Sequence, residues 1–180
     1  MSHRSVEIFI KKKKQMKKQL AEHLSFSFKR PLMAVVLDRE LSEKEEENLK
    51  NILKGTAEIE VQVVIVADTN LEAFSEPHTI VMPYGRSNRK KLLEAADMAL
   101  TFSFSDVEEM LLNGTIPISC RRSEVDDYNP NRESGNGFIY KEAGYWSIFA
   151  ALIRALETFK FPYDWSNIVR QGRESVGREV

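Results

Sequence analysis

Two apolar patterns alternate along this chain. Short unbroken runs rich in β-branched residues give way to longer stretches in which apolar positions return every three or four residues. The runs at 31–37 (PLMAVVL), 60–68 (EVQVVIVAD), 78–84 (HTIVMPY), 97–102 (DMALTF), 115–119 (TIPIS) and 137–140 (GFIY) predict strands. Their continuous apolarity points to burial on both faces. Between them, the spacing predicts helices at 11–24, 43–55, 87–96, 105–114, 144–160 and 163–172. Ser42, with Glu45 three positions on, is a capping box for the second helix. Ser87 or Asn88 would cap the third and Ser105 or Asp106 the fourth, while Gly55 and Gly114 close two of them. Strands alternating with helices imply parallel crossovers, hence an α/β, Rossmann-like, doubly wound and mostly parallel sheet flanked by helices. Such sheets bind ligands outside the carboxyl ends of their strands, which directs attention to the loops at 38–42, 68–77, 84–88, 102–106 and 119–136.

Composition narrows this picture without supplying chemistry. With 42% hydrophobic and 29% charged residues, the chain suits one globular domain rather than a disordered segment. We read a basic lead-in helix over 1–28 and the sheet domain over 29–180. The 26 Lys and Arg nearly cancel the 27 Asp and Glu, so no global field favours nucleic acid. A single cysteine, Cys120, excludes an internal disulfide and suits a reducing cytoplasm. No run approaches the ~18 apolar residues of a membrane helix, so a cytoplasmic protein without a membrane partner is expected. His3, His23 and His78 lie far apart, Cys120 has no His nearby, and no phosphate-binding glycine loop occurs. No metal and no cofactor is expected. Six lysines fall within residues 11–18, dense enough to hold an anionic partner, yet no aromatic interleaves them. A solvated helix face is the simpler expectation. Tyr145, Trp146 and Phe149 open the long C-terminal helix and are expected in the core or an interface.

Five segments carry a resemblance. KKQLAEHLSFSFKRPLMAVVL (17–37) runs a lysine-rich helix into a Pro-Leu strand, VQVVIVAD (61–68) forms a second strand, and LLEAADMALTFS (92–103) enters a strand through Ala-Asp. NGTIPI (113–118) and SGNGFIYKEAGYWSIFAALIRALETFK (134–160) follow in order. Together they resemble the C-terminal, nucleotide-sugar-binding half of bacterial glycogen and starch synthases, glycosyltransferases of the GT-B fold. The likeness runs over roughly 11–173. It implies one half of a GT-B enzyme that grips a donor sugar nucleotide, with an Arg and a Lys after the first strand on the diphosphate. Fixed positive charge there lowers the barrier, because the leaving group gains negative charge as the glycosidic bond breaks.

The departures fall where that chemistry belongs. With one inserted residue, Arg39 and Lys44 keep the family spacing; without it those positions fall on Asp38 and Glu43, which would repel phosphate. A capped helix start with solvated charges is the simpler expectation there. The family's acidic, glycine-containing loop before the fourth helix is replaced by FSFSD (102–106), several residues shorter. Glu109 matches the second acid of the wider glycosyltransferase pattern, often used on the ribose, but the position of its companion is Thr101. A glycine-rich turn is replaced by CRRSEVDDYNPN (120–131), whose Arg121 and Arg122 are expected to pair with Asp126 and Asp127 rather than with an anion. The family's separate acceptor-binding domain is not expected within these 180 residues.

These features together imply a degenerate module, not catalytic alone, that binds a nucleotide-sugar or glucan weakly or serves interaction. The alternatives are a donor-binding subunit completed by a separate acceptor-domain chain, using Arg39, Lys44 and Glu109, and a lysine-helix binder of an anionic partner. Trp165, Ile168 and Val169, which the family would cover with its other domain, are expected to drive homo-oligomer formation.

Overall fold

A computed structural model describes residues 3–68 and 74–177; positions 69–73 of the 68–77 loop and the side chains of His3 and Arg4 lie outside the described residues. In chain order the elements are α1 (His3–Leu24), β1 (Leu32–Leu37), α2 (Glu43–Glu58), β2 (Gln62–Ala67), β3 (Thr79–Pro83) and α3 (Arg86–Ala95). There follow β4 (Met98–Leu100), α4 (Val107–Leu112), β5 (Ile116–Ser119), β6 (Phe138–Ile139), α5 (Tyr145–Phe159) and α6 (Pro162–Val176). All strand pairs are parallel, in the order β3-β2-β1-β4-β5-β6. This is the doubly wound α/β sheet that the alternating pattern implies.

Every residue of β1 and β2 is buried, because each strand has a helical layer on both sides. Met33, Val35 and Leu37 face Leu49, Ile52 and Leu53 of α2 and Ile148 and Leu152 of α5. Leu32, Ala34 and Val36 face Leu92 and Leu93 of α3, Leu20 of α1 and Met110 of α4. The Ser42–Glu45 capping box forms and Asp106 caps α4, both as expected.

Several expectations need correction. α3 begins behind Gly85 with no side-chain cap, since Asn88 turns back to donate to the Pro83 carbonyl (2.9 Å). Gly55 does not end α2, which continues to Glu58; a Cβ there would stand 2.6 Å from Phe149 Cε2, so glycine allows α2 and α5 to approach closely. Trp165, Ile168 and Val169 are buried within this domain rather than left uncovered, so they do not form the open apolar patch expected at this end. The Phe138 and Phe159 rings pack on Trp165, and Phe9 and Ile10 of α1 join the same cluster. Of the three aromatics expected in the core or an interface, Tyr145 and Phe149 pack against the core and Trp146, 77% exposed, lies outside it.

The lysine helix departs most. Met16, Leu20 and Leu24 form its apolar stripe as expected, and Lys11, Lys12, Lys14 and Lys18 are solvated. Lys13 and Lys17 are buried. The Lys13 ammonium donates to the carbonyls of Leu93 (3.0 Å) and Asn113 (2.8 Å) and to Thr115 Oγ1 (2.9 Å), and approaches the Glu94 carbonyl (3.4 Å). These carbonyls end α3 and α4, where helices carry orphan acceptors, so one buried lysine nitrogen serves two helix C-termini. Lys17 pairs with Asp97 at 2.6 Å, and the same carboxylate oxygen accepts the Leu32 N–H (2.8 Å), joining α1 to the base of the sheet.

Candidate functional site

The chain leaves β1 toward β2 and β3 on one side, then returns to β4 on the other, so the switch point lies between the carboxyl ends of β1 and β4. Doubly wound sheets open their ligand crevice there. Two loops border it, 38–42 after β1 and 101–106 after β4.

After β1 the chain must turn at once into α2, and Ser42 with Glu45 fixes that turn. Glu45 accepts from the Ser42 N–H (2.9 Å) and hydroxyl (2.8 Å). Partial burial alone would raise the Glu45 carboxyl, but the two Ser42 groups and then Arg39 outweigh it and hold it below its ordinary range. Arg39 donates to the Glu40 carbonyl (2.6 Å) and to Glu45 Oε1 (3.3 Å), and its guanidinium lies 4.0 Å from the centroid of the Phe104 ring. Phe104 in turn stacks on Phe102, with centroids 5.5 Å apart and planes 5° from parallel. The phosphate-gripping candidate thus sits over the Phe104 ring of the facing loop. Lys44, in the first turn of α2, is exposed and makes no ion pair among the described residues.

The loop after β4 is closed on itself. The Phe102 N–H donates to Ser105 Oγ (2.9 Å) and the Ser105 N–H to the Phe102 carbonyl (3.1 Å). Arg122, from the segment after β5, donates to the carbonyls of Phe102 (3.3 Å) and Ser105 (3.0 Å) and pairs with Glu124 (3.3 Å). The Tyr140 hydroxyl donates to the Thr101 carbonyl (3.2 Å); burial and then the neighbouring Cys120 push this phenol up to about 12. The amides of Phe102 and Ser105 therefore already have acceptors within the loop. Asp106, accepting the Glu109 N–H (3.0 Å), sets a carboxylate at the start of α4, where it opposes a second anion.

Glu109 forms an ion pair with Arg89 of α3, and Asp106 lies 3.8 Å from the same guanidinium. The two charged candidates that border the crevice, Arg39 and Glu109, each hold a local partner, and no hydrogen bond or ion pair joins Arg39, Lys44 and Glu109 among the described residues. Arg121 and Arg122 do not pair with Asp126 and Asp127. Arg122 takes Glu124, and Asp127 takes Arg154 (2.9 Å), because β6 and α5 bring Arg154 over that loop. Sequence reasoning missed Phe104 as the partner of Arg39, Arg89 as the partner of Glu109, and the tie from Arg122 to 102–105. Only the last had a local signal, a pair of arginines after a strand end. No group of three His, Cys, Asp or Glu suited to a metal occurs among the described residues.

No protein-family model and no curated protein matches this chain. Solved structures do. The C-terminal domain of the glycosyl transferase group 1 family protein LpcC from Francisella tularensis aligns over 91% of this chain and 92% of that domain, with a TM-score of 0.62 and 13% identity. WaaG, a glycosyltransferase involved in lipopolysaccharide biosynthesis, aligns over 88% of this chain and 46% of its own, with a TM-score of 0.59 and 15% identity. A putative UDP-N-acetylglucosamine 2-epimerase from Listeria monocytogenes aligns over 89% and 45%, with a TM-score of 0.60 and 12% identity. The fold is that of a GT-B C-terminal half. This chain spans about half the length of WaaG and of the epimerase, and nearly all of the LpcC domain. At such identities the likeness is one of fold, and the crevice of this GT-B-type domain has to be judged on its own residues. No helix among the described residues is long and apolar enough to cross a membrane.

Proposed function

We propose that this domain is a degenerate, starch-synthase-type glycosyltransferase module that does not catalyse transfer, its donor crevice filled by its own side chains. One observation carries the reading: Arg39, the candidate for the diphosphate, rests on Phe104 and pairs with Glu45. Turning it toward a ligand would cost the ring contact and the ion pair together. The internally bonded 102–105 loop and the Arg89–Glu109 pair support the same reading. Calorimetric titration with ADP-glucose and UDP-glucose tests it. We expect no saturable heat for either. Micromolar binding abolished by Arg39→Ala with Lys44→Ala would overturn the proposal and favour a donor-binding subunit of a two-chain enzyme. The specific observation behind that second reading is Lys44, exposed in the first turn of α2 without an ion pair among the described residues. A cytoplasmic setting belongs to the same proposal and rests on Cys120, half-buried as a free thiol.

A further inference from the structure

The amino-terminal end of the central strands carries a feature unrelated to the donor crevice. Between α1, the turn that follows it and the α5–α6 corner lies a cleft of about 530 Å³, within the ~300–1,000 Å³ typical of small-molecule sites. Its walls are mostly carbon, supplied by Phe28, Phe159 and Trp165. Its rim is cationic: Lys14, Lys18 and Lys29 line it and all three are exposed. Asp97 is the one carboxylate lining the cleft among the described residues, and it is committed to Lys17 at 2.6 Å and to the Leu32 N–H at 2.8 Å. Lys13, deeper still, is taken up by the ends of α3 and α4. Glu22 reaches Lys18 only at 4.0 Å across exposed surface, a contact that solvent screens. Three exposed lysines therefore line a mostly apolar cleft whose one carboxylate among the described residues is already committed.

We propose that this cleft binds a small amphiphilic anion, its carboxylate-type head held by Lys14, Lys18 and Lys29 and its aliphatic or aromatic body laid on Phe28, Phe159 and Trp165. Removing the body from water provides attraction without direction. The rim provides the choice of sign, since a neutral head leaves three like charges uncompensated and a cationic head is repelled. The site stands apart from the donor crevice, and neither outcome bears on the other.

Trp165 lines the cleft and Trp146, the other of the 2 tryptophans, is 77% exposed. In Trp146→Phe protein the emission of Trp165 therefore reports on the cleft alone. Monomeric decanoate should shift that emission saturably. Decanol should bind about tenfold more weakly, and Lys14→Ala/Lys18→Ala/Lys29→Ala should weaken decanoate by a similar factor, the sum that three screened ion contacts supply. The substituted lysines are exposed, so the variant is expected to fold, and its circular dichroism checks that. Equal affinity for decanol and decanoate, an unchanged affinity in the folded triple variant, or a response only to phosphatidylglycerol vesicles and not to monomeric decanoate would each overturn the proposal.

Discussion

Lys13 offers a sharp test of the packing. Burial, which outweighs the attraction of Asp97 and Glu94, brings its ammonium down from 10.5 to about 7, with Lys17 and Arg173 adding to the depression. The unfolded chain keeps Lys13 charged up to its ordinary value, so between the two values the unfolded state binds one more proton than the folded state. Stability attributable to this residue must then rise with pH, by about 1.4 kcal/mol per unit once pH exceeds the folded value. Between about pH 7 and about pH 9 the integrated gain is roughly 2 kcal/mol. Lys13→Met keeps most of the side-chain volume and removes the titration, so the difference between wild type and variant isolates the effect. Urea unfolding of both proteins at the two pH values measures it. The wild type should gain on the variant by that amount as pH rises. Parallel behaviour of the two proteins would refute the reasoning and show that the cage of carbonyls holds Lys13 charged against its burial.

Other outcomes follow from single contacts. Asp106→Ala removes the N-cap of α4 and should cost about 1 kcal/mol in urea unfolding, since the Glu109 N–H loses its acceptor. Gly114 has φ +63, and a Cβ there would stand 2.6 Å from Phe9 Cε1. Gly114→Ala should therefore destabilise by about 1–3 kcal/mol and lower the melting temperature by several degrees. Arg122→Ala frees the carbonyls of Phe102 and Ser105, so amide exchange at Phe102 and Ser105 should accelerate while that of β1 stays slow. Equal protection in the variant would show that the loop holds without its arginine.

Much of the fold was legible because it rests on local signals. Unbroken apolar runs such as 32–37 and 62–67 have few destinations other than a doubly covered parallel sheet, and the Ser42–Glu45 box acts within one turn. What stayed hidden was decided by partners distant in sequence. Lys13 is buried because Leu93, Asn113 and Thr115 converge on it from about 80 to about 102 positions away, and a lysine run reads the same whichever members turn inward. Trp165 looked uncovered because the rings that cover it, Phe138 and Phe159, come from other elements. At the crevice, the shortened 102–106 loop and the capping role of Asp106 could be read locally. The contact of Arg39 with Phe104 depends on how two loops meet at the switch point, which no spacing encodes.

The central claim is that the crevice between β1 and β4 is occupied by the domain itself. Isothermal titration of the wild-type chain with ADP-glucose and UDP-glucose addresses it most directly. The account predicts no saturable binding of either nucleotide-sugar. Micromolar affinity that disappears when Arg39 and Lys44 are both replaced by alanine would contradict it.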